Sequence, residues 1–267
     1  MNERSRMSFL GDGLEWLRRA TITVIGAGGG GSHIIQQIAH LQVGRLPIAD
    51  HDHLEDTNVP RVVGSGFGDV GRLKAELLAE RFSDLKTSII AITERAESSG
   101  ARRWIERSDV VFGAVDGARA RNNIESICRA ALVPYIDIGL KIQLGADDTT
   151  ITAIGGQVVT SLPGGPCLRC AEVVTNESLL ADREEYLAGR PEQQVVSMNG
   201  LLASQAVNGM LNVMTGYAPD FPPAAVIRYD GLRHVMLPDR YVKGPCLHYL
   251  LQAAGWRHVL PPRIAAA

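Results

Sequence analysis

Three glycines, a few charged side chains and a cysteine pair stand at spacings that could do chemistry. Gly26, Gly28 and Gly31 satisfy G-x-G-x-x-G directly after the apolar run Thr21–Ile25. There, Gly26 permits a tight turn and Gly28 lets the backbone approach a phosphate, while the N–H groups heading the next helix supply partial positive charge. Gly29 belongs to the same loop and joins the candidates. An acid about 20 residues further on, at the end of the second strand, would accept hydrogen bonds from ribose hydroxyls. Asp50 stands there, with Asp52 close behind.

The loop alone fits two chemistries. A dehydrogenase would use it for NAD, whereas an ATP enzyme would leave the outer phosphates within reach of basic side chains. Arg61, followed by the glycine-rich stretch Gly64, Gly66, Gly68 and Gly71, and then Lys74, would flank the pocket from a loop and from the next helix. An NAD site does not need two cations there. A departing pyrophosphate does, because charge builds up on the leaving group. Asp116 ends a fourth strand at the crevice edge, where a carboxylate could hold Mg²⁺ against phosphates or cap the helix that begins near Ala118. Cys167-x-x-Cys170, after a Pro-Gly-Gly-Pro turn, has zinc-knuckle spacing, and thiolates suit tetrahedral zinc. Cys128 lies on an apolar helix face and reads as core. His33 and His40 read as structural or solvated, and the His51, His53 pair beside Asp50 and Asp52 as a polar loop rather than a metal site.

The elements that must position these groups alternate. Strand candidates are Thr21–Ile25, Arg45–Asp50, Thr87–Ile92, Asp109–Val115 and Pro134–Ile138, with helices at about Gly30–Gln42, Val70–Phe82, Ser99–Arg107 and Ala118–Leu132. Alternating β and α units with continuous apolar strands predict a Rossmann-like α/β fold: a mostly parallel sheet with helices on both faces. The second half breaks the rhythm. Ile151–Thr160 reads as a strand, Thr175–Gln194 as a polar, linker-like stretch, and Val195–Thr215 as a helix. Ala225–Tyr229 and Leu232–Leu237 read as an antiparallel pair around Asp230-Gly231, a C-terminal antiparallel elaboration. We expect an N-terminal arm over 1–20, one domain over 21–256 and a frayed tail over 257–267.

The totals exclude several classes. The 267 residues are 45% hydrophobic, enough to bury a substantial core; the net charge is −2, and Lys and Arg are scattered rather than gathered in a basic stripe, so no nucleic-acid surface is expected. No apolar run reaches the roughly 18 to 20 residues of a membrane span. The opening MNERSRMSFLGDG lacks the apolar centre of a signal peptide, so a cytoplasmic protein is expected. In that compartment four cysteines suit metal ligands or buried apolar positions better than disulfides.

From Gly11 to Tyr229 the order of motifs resembles the ubiquitin-activating-enzyme-like adenylating enzymes that include ThiF, MoeB and HesA. The resemblance is carried by the loop Gly26 to Ser32, Asp50-x-Asp52, Asn58-x-x-Arg61, Gly71-x-x-Lys74 and Asp116 with Arg121 and Asn122. Pro134, the Cys167/Cys170 pair and the Asn199–Gly216 segment complete it. It implies that ATP and Mg²⁺ activate a carboxylate of a ubiquitin-like protein or a ribosomal peptide as an acyl-adenylate. Amide dehydration or cyclisation of a peptide or of a tRNA-base carboxylate would be a close variant. By the same resemblance Asp50 would hold the ribose, Asn58, Arg61 and Lys74 the phosphates, and Asp116 the Mg²⁺. A partner's N-terminal arm would lend an arginine, Arg6 or else Arg4, which implies a homodimer. The family's second C-x-x-C is incomplete here: Cys246 is present, Tyr249 occupies the expected last position, and His248 could replace it to complete a zinc site. Two further departures matter. Ala171–Gln194, the crossover segment, has no nucleophilic cysteine, so a thioester on this chain is not expected. Gly117 stands where relatives place an asparagine. An NAD-dependent oxidoreductase and a nucleotide-binding pseudo-enzyme subunit remain the competing readings.

Overall fold

The computed structural model describes residues 7–147, 149–188, 193–220, 226–239 and 246–252. Eight strands form one sheet, β1 (Ile22–Ile25), β2 (Arg45–Ala49), β3 (Ser88–Ile92), β4 (Val110–Gly113), β5 (Tyr135–Leu144), β6 (Ile151–Ser161), β7 (Val226–Asp230) and β8 (Val235–Pro238). Their order is β3-β2-β1-β4-β5-β6-β7-β8. The pairs from β3 through β5 are parallel, and those from β5 through β8 are antiparallel. The chain moves outward from β1 to β3 and then restarts at β4 on the other side, so the topological switch lies between β1 and β4. Open sheets of this kind bind ligands in the crevice beyond the strand carboxyl ends at that switch.

Burial alternation shows how the strands are covered. Ile22, Val24, Val110 and Phe112 join a core that includes Leu17 of α1 (Gly13–Arg19), Ile34, Ile35 and Ile38 of α2 (Gly29–His40), Leu77 and Leu78 of α3 (Lys74–Arg81), and Leu202 and Met210 of α7 (Val196–Thr215). Ile25 and Val111 point the other way, into a core with Ile105 of α4 (Ser99–Ile105) and Ile124 and Cys128 of α5 (Ala118–Ala130). Cys128 is fully buried, as its helix face predicts.

The structure departs from the expected elements in four places, the first being β5, which runs on past the expected end at Ile138 to Leu144. The stretch Thr175–Gln194 contains a helix, α6 (Asn176–Ala188), where a linker-like run was expected. Thr175 Oγ1 accepts the Ser178 N–H at 3.1 Å and Ser178 Oγ accepts the Thr175 N–H at 2.9 Å, a reciprocal cap that starts the helix. It carries no apolar stripe, so periodicity could not reveal it. Gly189, Arg190 and Pro191 of that stretch lie outside the described residues. The helix expected from Val70 begins only at Lys74, because Phe67–Asp69 form a 3-10 turn and Gly71 adopts φ +90°. The β7–β8 connection is a four-residue turn with His234 at φ +55° rather than a two-residue one, which shortens β8 to Val235–Pro238. Within the expected N-terminal arm, α1 packs on α7, and a side chain at Gly13 would strike Thr215. Ala225 and the 257–267 tail lie outside the described residues. Among the described residues no helix is long and apolar enough to cross a membrane.

Candidate functional site

A cavity of about 320 Å³ lies at the switch point and is lined by the carboxyl ends of β1, β2 and β4 and by Ile138, Gly139 and Leu140 of β5. Gly26, at φ +93°, makes the turn out of β1, and a Cβ there would be driven into the Ala114 backbone. At Gly31 a Cβ would lie 2.8 Å from the Gly26 carbonyl carbon and closer still to its oxygen, so this position is closed by strand–helix packing. Gly28 is the opposite case, since a Cβ there meets nothing within 4 Å and would stand in the cavity mouth. The loop therefore leaves room for a ligand where backbone amides head α2, the arrangement that receives an anion.

Asp50 directly follows β2 at the cavity wall and is 8% exposed. Its Oδ2 accepts the Ala27 N–H at 2.6 Å and its Oδ1 accepts the Asp52 N–H at 2.8 Å. Burial pushes this carboxyl above its usual range, against the pull of those two N–H donors. The carboxylate thus fixes the glycine loop, and its remaining lone pairs stay available to a hydroxyl.

Asn58, Arg61, Lys74 and Asp116 line the same cavity. Asn58 is buried in a 3-10 turn (Asp56–Asn58) and donates to Thr57 Oγ1 at 3.3 Å. Arg61 donates to the Thr57 carbonyl at 3.2 Å. Lys74 is the first residue of α3, where the helix dipole disfavours a cation. Its Nζ lies 3.2 Å from Asp52 Oδ2, and the Lys74 side chain is only 10% exposed against 54% for Asp52. His51 Nε2 lies 3.4 Å from the other Asp52 oxygen. Asp50, His51 and Asp52 hold their ligand atoms within 4.8 Å of one another, although His51 and Asp52 are exposed. His53 is exposed as well and bridges to Leu73 through its backbone.

Asp116 does not cap α5. Gly117, at φ +83°, occupies the N-cap, and the Arg119 N–H is taken by Asp182 Oδ2 of α6 at 2.7 Å. Asp182 also fills the space beside Gly117, where any Cβ would meet its oxygens at 3.0 Å.

Sequence reasoning assigned no role to several cavity residues. Arg121 pairs with fully buried Asp137 and donates to the Ile138 carbonyl at 2.9 Å, while Tyr135 donates to the other Asp137 oxygen at 3.0 Å. Burial pushes Asp137 up, and Arg121 opposes it. Gln194 and Asn199 close over Gly29, joined to each other at 3.3 Å. Asn199 is 4% exposed, and its place at the head of the Asn199–Gly216 segment of the resemblance was the available signal. His33 Nε2 lies 3.0 Å from the Val196 carbonyl and ties α7 to α2. Burial holds its pKa below the usual value. The unfolded chain then binds a proton that the folded chain resists, so this stability is intact above the unfolded pKa and declines as pH falls through the window below it. His33→Gln is expected to flatten the fall in urea midpoint between about pH 7 and about pH 5. An unchanged slope would assign that titration elsewhere.

The four-residue cysteine and histidine cluster forms away from the cavity. Cys167 and Cys170 Sγ are 3.6 Å apart, and Cys170 and Cys246 Sγ are 3.8 Å apart. His248 Nδ1 lies 3.4 Å, 3.5 Å and 3.9 Å from the three sulfurs in turn. Zinc–sulfur bonds of about 2.3 Å in a tetrahedron separate sulfurs by about 3.8 Å, so these donors fit such an ion. Burial pushes the Cys167 thiol well up, a cost that a bound cation would reverse. Tyr249 turns away from the cluster, its hydroxyl 3.0 Å from Ser126 Oγ. Arg6 and Arg4 lie outside the described residues.

Comparison with known proteins agrees with this geometry. The chain is 33% identical over 156 residues to the SAMP-activating enzyme E1 of Haloferax volcanii, covering 58% of this chain and 54% of that one. It is 26% identical over 228 residues to the molybdopterin-synthase adenylyltransferase of Escherichia coli, covering 83% of each. It spans only about a third to a half of several curated relatives it matches. Its fold is similar to that of E. coli MccB solved with MccA-N7isoASN, with a TM-score of 0.70 at 18% identity over 87% of this chain and 67% of the other. The ThiF family model matches residues 3–241, and the chain belongs to the ThiF family.

Proposed function

We propose that the protein is an adenylyltransferase that uses ATP to activate a carboxylate of a ubiquitin-like protein or a ribosomal peptide, releasing pyrophosphate. The observation that supports this best is Lys74, a largely buried cation at the positive end of a helix that lines the same cavity as Arg61 and Asp116. An NAD site has no use for that cation, whereas a leaving pyrophosphate has. The SAMP-activating enzyme and the molybdopterin-synthase adenylyltransferase bear names of the same class.

In this reading the opening beside Gly28 receives the phosphates, Asp50 takes the ribose, and Asn58, Arg61 and Lys74 neutralise the outer phosphates. Lys74 exchanges its Asp52 partner for phosphate when ATP binds, and Asp52 and Gly29 line the same cavity. Asp116, left free of any capping duty, would hold Mg²⁺, which screens phosphate charge when bound. The α-phosphorus is attacked by the carboxylate oxygen and the bond to pyrophosphate breaks. A partner copy's Arg6 would reach the site in a homodimer. Cys167, Cys170, Cys246 and His248 would hold a structural zinc.

The crossover segment holds no cysteine, so the acyl group passes from the adenylate to an external nucleophile. Incubation with ATP and a peptide or small protein ending in a free carboxylate is expected to give exchange of labelled pyrophosphate into ATP with no covalent adduct. A substrate linked to this chain and released by hydroxylamine would contradict the direct transfer. ATP binding without exchange would favour a pseudo-enzyme subunit, and NAD binding without ATP binding would favour an oxidoreductase.

A further inference from the structure

Outside the cavity, α5 carries a second buried charge cluster. Glu125 is 0% exposed and Arg129 is 1% exposed, one turn apart on the helix, with Arg129 Nη2 3.9 Å from Glu125 Oε1. A buried ion pair is no more stabilising than well-packed apolar residues of the same volume, so its presence calls for a role. The partners supply one. Glu125 Oε1 accepts the Leu168 N–H at 2.9 Å and the Ser161 hydroxyl at 2.5 Å. Arg129 donates to the carbonyls of Gly165 at 3.1 Å and Pro166 at 2.6 Å, and to Ser161 Oγ at 2.6 Å. These bonds grip the loop on both sides of Cys167. The Arg129 guanidinium also lies 5.4 Å from the centre of the Tyr249 ring, whose hydroxyl meets Ser126. Residues 125, 126 and 129 of a single helix therefore hold both chain segments that carry the cysteine and histidine cluster.

We infer that Glu125 and Arg129 are positioning residues that preorganise the Cys167, Cys170, Cys246 and His248 donors for a thiophilic divalent cation. This rests on the reading of that cluster as a metal site. Without the clamp, two segments about 80 residues apart in sequence would have to be ordered by the ion alone, and loop closure would be charged against its affinity. Partners behind a ligand set are worth about 10- to 100-fold in metal affinity.

Zinc content per chain and zinc transfer to a chromogenic chelator would be measured on the purified protein and on Arg129→Met, Arg129→Lys and Glu125→Gln. The wild type is expected to hold one zinc, with about tenfold or greater loss of affinity in Arg129→Met and a smaller loss in the two conservative variants. Melting of zinc-loaded and chelator-stripped protein separates positioning from bulk stability. Positioning predicts that the substitutions lower the loaded form more than the stripped form. A merely structural pair lowers both equally, and that result, with zinc affinity unchanged, would overturn the inference. Should Arg129→Met fail to fold, the two conservative variants carry the same comparison. A wild-type protein that takes up neither zinc nor cobalt would overturn the metal reading itself.

Discussion

Lys74→Met is expected to cost at least about a hundredfold in pyrophosphate-forming turnover while changing stability by no more than about 1 kcal/mol. The two effects separate because the lysine is poorly placed for the fold. Its ammonium sits at the head of α3, where the dipole opposes it, and its Asp52 partner is half exposed, so the ion pair contributes little. Methionine keeps the stem packed among the buried neighbours of the helix and removes only the charge. Exchange kinetics and a thermal melt on the same sample test both halves. A loss of activity that tracks a loss of folding would mean that Lys74 is structural, and full activity would remove it from the site.

A pair of glycine substitutions should divide the loop into a packing part and a binding part. Gly31→Ala places a methyl against the Gly26 carbonyl, and neither backbone segment can give way without moving β1 relative to α2. Overpacking of this kind costs about 1–3 kcal/mol or more, and in a chain of this size each kcal/mol lowers the melting temperature by about 2–4 °C. Gly28→Ala should leave the melt unchanged, since its φ of −77° suits any residue and its Cβ meets open space. It should nevertheless weaken nucleotide binding by about tenfold or more, because the methyl stands where a phosphate would approach the amides. Melting and fluorescent-ATP titration of both variants check this. Equal losses of stability in the two would contradict it.

The sites most legible in the sequence are those whose signals are local. The glycine loop, Asp50 and Asp116 could be placed because each marks the end of an apolar run, and parallel strands end where ligands bind. The helix α6 was invisible because a reciprocal Thr175–Ser178 cap begins it without an apolar stripe. Arg121 and Asn199 were named as positions of the resemblance without a role, which came only from the fold: Arg121 pairs with Asp137 of the following strand, and Gln194 and Asn199 close over a glycine far earlier in the chain. Asp182 of α6 takes the space beside Gly117 and accepts the Arg119 N–H, a contact that only the fold shows. His248 could be proposed from the resemblance, whereas the sulfur separations of 3.6 Å and 3.8 Å and the approach of His248 Nδ1 to all three sulfurs needed the fold.

In the function proposed above, this cavity cleaves ATP between its α- and β-phosphates on behalf of a carboxylate. The most direct measurement is exchange of labelled pyrophosphate into ATP by the purified chain with a small protein or peptide bearing a free C-terminal carboxylate. Exchange is expected to depend on that carboxylate and to disappear in Asp116→Asn. Formation of ADP and phosphate in place of exchange, or exchange that survives Asp116→Asn, would contradict it.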